Sequence, residues 1–386
     1  MGSLDKKIGV LGGGQLGKML FEAGSPLNLN YVFLEKSEES PAALICKNQV
    51  VGSLQDQKKI NELSAKADVL TYEIEHVNTN ALLALEAEGK EVIPSPRILG
   101  IIQDKGLQKN FYSDNGIETL PFEISTAEEL DHKVSTWSDE KFVLKHRKGG
   151  YDGKGVQLLS KNKFAGFKAA KDSSLESEHG YVIEQILEDV IEVSVIVSVG
   201  NNEIEIYPTC EMVFDPKSNL MDYLISPSSL SADLDAKCKT IARKAVESFK
   251  SKGLFAVELF VKGSQVYVNE IAPRPHNSGH HTIESTYTSQ YEQLNRILLG
   301  LPLGSTEMIS PAATCNIVGN GTDSGRYKLS GLDQALKIEG VYVHMYGKKT
   351  TSPYRKLGHF TVLGDTREEV VDKMDKAKNL LQVKTL

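Results

Sequence analysis

The sequence predicts a chain of mixed α/β and α+β class, with an N-terminal parallel-sheet domain, a small lid, a larger mixed domain and a strand-rich C-terminal tail. Three observations predict it. Short β-branched runs alternate with helical patterns until about residue 93, the mark of stacked βαβ units. Pro94 and Pro96 then break that pattern. Further along, two apolar strand-like runs each carry one acid, Glu258 and Glu270.

The length of 386 residues exceeds one ordinary domain and predicts two or three compact units. Apolar residues at 40% and charged residues at 25% give an ordinary globular composition without low-complexity stretches. A formal charge of −7 excludes a polyanion-binding surface as the main activity, so nucleic acid is not an expected partner. It leaves room for a local basic pocket that holds one phosphorylated metabolite. Cys46, Cys210, Cys238 and Cys315 show no C-x-x-C spacing, which predicts neither a zinc site nor a disulfide framework and fits a reducing cytosol. The first residues lack an apolar signal region, and no segment has the length of a membrane span. The expectation is a cytoplasmic protein with no membrane partner.

In order, strand-like runs at 8–11, 31–34, 68–72 and 92–93 define a Rossmann-like first domain, 1–103. A charged helical stretch near 104–115 opens a second unit, 104–187, read as a connector and mobile lid. There the runs 142–145 and 181–184 accompany a glycine-rich loop. The third unit, 188–310, has runs at 192–199, 203–207, 255–261 and 265–271 with amphipathic helices near 233–250 and 289–299. The tail, 311–386, holds three strand-like runs and a charged helix. Too small to stand alone, it is expected to pack on the first or third unit.

Four constellations carry the chemistry. Gly12-Gly13-Gly14-Gln15-Leu16-Gly17 follows a strand and opens a helix, and Glu35 ends the next strand. Alone, this spells a dinucleotide site. It would equally cradle a ribose phosphate, or form a tight turn without a ligand. The loop at 148–155 has four glycines and, with Lys145, Lys148 and Lys154, suits covering the phosphates of a nucleotide. Glu258 and Glu270 are tolerable in apolar strands chiefly with a cation between them, and oxygen ligands select magnesium. Twelve residues apart, they share a face only if an odd-numbered loop or a bulge joins the strands, and a three-residue loop at 262–264 is expected. The string from Asn269 to His280 then places Arg274 and His276 where a guanidinium and an imidazole could hold an anion and move a proton.

These motifs together resemble the ATP-grasp superfamily and, within it, the 5-(carboxyamino)imidazole ribonucleotide synthetases of purine biosynthesis. The marks are the 12–17 loop, Thr71-Tyr72-Glu73-Ile74-Glu75, the 149–155 loop, the 269–280 string and Arg355-Lys356-Leu357-Gly358-His359. The resemblance covers nearly the whole chain and implies an ATP-grasp fold. It implies ATP contacts from Lys105, Lys145, Gly150, Tyr151, Asp152, Gly153, Lys154, Gly155, Val156, Glu184, Gln185, Ile186, Leu187, Glu192, Glu211, Asn269 and Glu270, with Glu258 and Glu270 holding Mg2+. The ribonucleotide would lie across Gln15, Glu73, Asp152, Arg274, His276, Asn277, Lys348, Arg355 and Lys356, with Tyr151, Asp152, Arg274 and His276 in catalytic roles. Lys105, Met212 and His281 stand where the family commonly has arginine, asparagine and an aromatic residue.

The implied reaction is attack of bicarbonate on the γ-phosphate of ATP to give carboxyphosphate, then carboxylation of the amine of 5-aminoimidazole ribonucleotide. Another ATP-grasp ligase, such as a formate-dependent transformylase, is the alternative; a dehydrogenase or a silent nucleotide-binding module is a weaker one. The resemblance also implies a homodimer. With no carboxylase sequence after residue 386, any mutase partner is expected to be a separate chain.

Overall fold

The computed structural model describes residues 3–149, 155–169, 178–215, 221–319 and 323–386. Its first sheet is parallel and five-stranded, in the order Gln49–Val51, Asn30–Glu35, Lys7–Leu11, Val69–Tyr72, Glu91–Val92. Helices Gln15–Gly24, Gln57–Ala65 and Thr79–Ala87 connect the strands. Covered on both faces, these strands read as continuous apolar runs, and Ile8, Val10, Phe33, Leu70 and Tyr72 are fully buried. Asp56 and Asn78 cap the second and third helices through their first backbone N–H groups.

Helix Pro96–Ile102 leads to helix Lys105–Asp114, whose cap, Asp104, accepts from the N–H groups of Gly106 and Leu107. Arg147, from the lid, adds a two-pronged bond to that same carboxylate. The lid is a four-stranded antiparallel sheet in the order Phe122–Ser125, Tyr181–Gln185, Lys141–His146, Val156–Ser160. Its own small core is formed by Trp137, Phe142, Leu144 and Ile183.

The third sheet runs Gln265–Ala272, Gly253–Lys262, Ile191–Val199, Cys210–Phe214, Met221–Ser226, Ala312–Val318, Lys356–Leu363, Val341–Met345, with Ile204–Ile206 beside Ile191–Val199. The last three strands belong to the tail, which therefore joins the third unit edge to edge and extends its sheet. Helix Ala232–Glu247 covers one face through Cys238, Ala242 and Val246 against Val195, Val257 and Ile271. Towards the first domain, helix Gln15–Gly24 packs Leu16, Met19 and Leu20 against Leu294 and Leu298 of helix Gln290–Leu299. Buried Asn295 fixes that contact: it accepts from the Tyr31 hydroxyl at 2.8 Å and donates to the Leu20 carbonyl at 3.1 Å.

The hairpin carrying the two acids corrects one expectation. Lys262 pairs with Gln265, so the loop is the two-residue turn Gly263-Ser264, with Gly263 at φ +57°. The odd residue is instead a bulge: Glu258 pairs with Glu270 and Leu259 with Val268, which leaves Asn269 as the extra residue. The bulge puts both carboxylates on one face, and it projects Asn269 beside them.

Candidate active site

The site lies on the face of the third sheet opposite helix Ala232–Glu247. Ser194 pairs with Glu258, and Glu192 is two residues before Ser194 on the same strand, so Glu192, Glu258 and Glu270 share a face. Burial pushes the Glu192 carboxyl up to about 7. Burial and the facing acids Glu270 and Glu192 raise Glu258, whereas the Lys105 ammonium, 2.5 Å from Glu270 Oε2, holds Glu270 low. Glu258 and Glu270 are oxygen donors of the kind a small hard cation takes. Among the described residues no group of three or more acids, histidines or cysteines is arranged to hold a metal ion.

Three lysines approach from the lid and its connector. Lys105 and Lys109 lie one turn apart on helix Lys105–Asp114 and point the same way. Lys109 and Lys145 both ion-pair with Glu184, which is buried at the end of the lid strand, and Lys145 also reaches Asn269 Oδ1 at 3.3 Å. Val156 is paired across the hairpin from Lys145, and the Gly155 carbonyl accepts from His146 N–H at 2.9 Å. Gln185, Ile186 and Leu187 are half-buried and link the lid to strand Ile191–Val199. Gly150, Tyr151, Asp152, Gly153 and Lys154 lie outside the described residues.

The polar string after the bulge closes the other side. His276 Nδ1 accepts from Ser278 N–H at 3.3 Å and lies 2.9 Å from Ser278 Oγ, which is 2.7 Å from Ser194 Oγ. An accepting Nδ1 leaves Nε2 as the protonated nitrogen of the neutral ring, and Nε2 lies 3.5 Å from Glu258 Oε1. Arg274 pairs with Glu75 of the first domain at 2.7 Å, and half-buried Asn277 follows. The tail arrives through Lys348, which donates to Gln15 Oε1 at 3.2 Å and to the Lys356 carbonyl at 2.6 Å. Lys349 turns away to exposed Glu39, and Arg355 is exposed and bonded to Thr350 Oγ1, so of Lys348 and Arg355 only Lys348 reaches Gln15.

One expectation fails on geometry. Glu211 pairs with Val193, which places its side chain on the opposite face from Glu192 and Glu258. There it accepts from Arg367 at 2.7 Å and from Ser229 N–H. Met212, not Glu211, stands on the site face. The first glycine loop, in turn, has no amides to spare at Gly13, Gly14 and Gly17: Glu35 accepts from Gly13, and Glu73 from Gly14 and Gly17. A Cβ on Gly14 would lie 2.7 Å from Glu73 Oε1, so the glycine admits a carboxylate of the protein itself. Glu73 is 8% exposed, and each of its oxygens holds one of these amides.

The ATP-grasp domain model matches residues 110–291, the ribonucleotide synthetase preATP-grasp domain model 5–103, and the phosphoribosylaminoimidazole carboxylase C-terminal domain model 312–373. N5-carboxyaminoimidazole ribonucleotide synthase of Staphylococcus haemolyticus is 33% identical over 375 residues, covering 96% of this chain and 95% of that protein. The chain belongs to the N5-carboxyaminoimidazole ribonucleotide synthase family. Within that family's fold it resembles the crystal structure of the Aspergillus clavatus enzyme in complex with ADP and 5-aminoimidazole ribonucleotide. The TM-score is 0.87 and identity 30%, with 98% of this chain and 99% of that one covered. Phosphoribosylaminoimidazole carboxylase of Ogataea methanolica is 36% identical over 375 residues and 93% of this chain, but this chain spans only 66% of that protein's length.

For a member of this family, the sequence reading missed several site residues. Lys109 was legible in principle, one helical turn after Lys105. Ser194 carries no such signal, because a buried serine beside an imidazole is a product of packing. Ser278, His280 and His359 lie within the quoted motifs, but their contacts are not written there: His280, His359 and His344 stack with centroids 4.4 and 4.6 Å apart and join the 269–280 string to the tail beside Tyr346.

Proposed function

We propose that this chain is an ATP-dependent carbon–nitrogen ligase that carboxylates the amino group of 5-aminoimidazole ribonucleotide with bicarbonate, forming 5-(carboxyamino)imidazole ribonucleotide, ADP and phosphate. The observation that carries the reading is the Glu258–Glu270 pair, set between Lys105 and Lys145 on one side and Arg274 and His276 on the other. Glu258 and Glu270 would hold Mg2+, which when bound offsets charge on the transferred phosphoryl group. Lys105 and Lys145 neutralise the nucleotide phosphates. Bicarbonate attacks the γ-phosphate, and the carboxyphosphate formed passes its carboxyl to the amine with loss of phosphate.

Arg274, paired with Glu75, would bind the carboxyl group, and His276 would offer its Nε2 proton to a developing anion. Lys348 and Lys356 supply positive charge for the 5′-phosphate. The glycine-rich loop at 150–156 is proposed to cover the phosphates and exclude water, with Tyr151 and Asp152 at the ribonucleotide. No described helix is long and apolar enough to cross a membrane, and a cytoplasmic homodimer is part of this proposal.

ADP release measured with and without bicarbonate and 5-aminoimidazole ribonucleotide tests the reading. Release that depends on both supports it. Release driven by formate in place of bicarbonate would favour a transformylase.

A further inference from the structure

Glu184 is 1% exposed and meets two ammonium groups, Lys109 on Oε1 and Lys145 on Oε2. A buried acid needs one cation for neutrality. Two of them exceed what Glu184 itself requires, and Lys145 also acts on the neighbouring acids Glu192 and Glu270, so it is the one with another destination. The lysines differ in access. Lys109 has a 4% exposed side chain and is anchored at the back by Thr119 Oγ1 at 2.6 Å, itself bonded to the Val268 carbonyl at 2.8 Å. Lys145 is 13% exposed, lies on the cleft side, and is shared between Glu184 and Asn269, the bulge residue next to Glu270.

We propose that Lys109 is a positioning residue of the nucleotide site, a fixed counter-charge that keeps Glu184 paired when Lys145 transfers from Glu184 to a nucleotide phosphate. This rests on the nucleotide-binding reading above. Without Lys109, moving Lys145 to a phosphate would strand a buried carboxylate, and that penalty would be subtracted from the nucleotide affinity. With Lys109 in place, Glu184 remains neutralised and the repulsion between the two ammonium groups favours departure of the more accessible one. Burial together with Lys145 pushes the Lys109 amine down to about 8 despite its acid partner, in keeping with a crowded pair of cations. Spacing supports the assignment too, since Lys105 and Lys109 leave one face of one helix to serve Glu270 and Glu184, acids of two different sheets.

The test is the dissociation constants of Mg-ATP and of adenosine, by calorimetry, for the full chain and its Lys109 variants, with KM values for ATP and for 5-aminoimidazole ribonucleotide alongside. Lys109→Met is expected to weaken Mg-ATP tenfold or more while the KM for the ribonucleotide changes less than threefold. Lys109→Arg, which keeps the charge, should recover most of the affinity. Adenosine carries no phosphate to draw Lys145 from Glu184, so it should bind Lys109→Met within about threefold of wild type. A lysine that merely props up the fold would weaken both ligands alike. Unchanged Mg-ATP binding in Lys109→Met, or an equal loss for adenosine, overturns the proposal. If Lys109→Met does not fold, Lys109→Gln, which can keep the bond to Thr119, takes its place with the same expected split between the two ligands. Failure of the wild-type protein to bind Mg-ATP would instead overturn the nucleotide reading.

Discussion

The glycine turn at 12–17 and the hairpin of Glu258 and Glu270 both bring carboxylates to a break in regular structure, yet they use them in opposite ways. In the turn, Glu35 and Glu73 accept from three backbone N–H groups of the loop. In the hairpin, a bulge turns two acids to the same face with a lysine against one and an imidazole against the other. Backbone donors on both oxygens make Glu73 a clamp on its own turn. Glu258, raised by burial and by the acids that face it, holds no backbone group among the described residues and stays turned to the cleft. The difference teaches that an acid beside glycines is not evidence of a ligand until its hydrogen bonds have been counted.

Glu270→Gln should have the largest effect: turnover falls by about 10²–10³-fold or more, the scale on which loss of a preorganised charge-stabilising group acts. Its thermal midpoint stays near wild type, because Glu270 is half open to the cleft. Steady-state ADP release and a melt on the same sample check both halves, and near-normal ADP formation would remove the acid pair from the site. Lys348→Ala comes next. Loss of a hydrogen-bonding cation, worth about 1.5–3 kcal/mol, should raise the KM for 5-aminoimidazole ribonucleotide roughly ten- to hundredfold with the KM for ATP unchanged. Exposed Arg355 is expected to matter less, about fivefold at most.

Glu73→Gln reverses the pattern of Glu270→Gln. The amide cannot accept from both Gly14 and Gly17, and leaving a buried donor unpaired should lower stability by about 1–3 kcal/mol. Both KM values should move less than twofold; a selective rise for the ribonucleotide would return Glu73 to the binding residues.

The smallest effect concerns pH. The Glu192 carboxyl is raised from 4.5 to about 7 by burial, so its contribution to stability is present below the ordinary carboxylate range and lost as pH rises through about 7. The metal-free protein should therefore melt progressively lower between about pH 5 and 8, and Glu192→Gln should flatten part of that slope. An identical slope in the variant would assign the effect to other groups.

Much of this was legible beforehand. The parallel first sheet follows from apolar runs at 8–11, 31–34 and 68–72, and a core with paired acids from Glu258 and Glu270, because burial patterns and isolated acids are written locally. The bulge was not legible. Whether an even turn with a bulge or an odd turn aligns two residues twelve apart depends on pairing energetics along both strands, and either choice leaves the same sequence signature. Glu211 shows the same limit, since an acid two residues from Val213 in a strand can face either way until its partners are known.

By itself the sequence determined the order of strands and helices, the glycines that permit close approach, and the identity of the acids, lysines, Arg274 and His276. The tertiary structure decided which of these share a face. It spent Glu73 on the first loop, sent Glu211 to Arg367, set Lys109 and Lys145 on one buried acid, and carried Lys348 to Gln15 across 333 positions of sequence. The reason is physical. Propensity and hydrophobic period act over a few residues, whereas the pairing of a buried charge is settled only when distant segments exclude water around it.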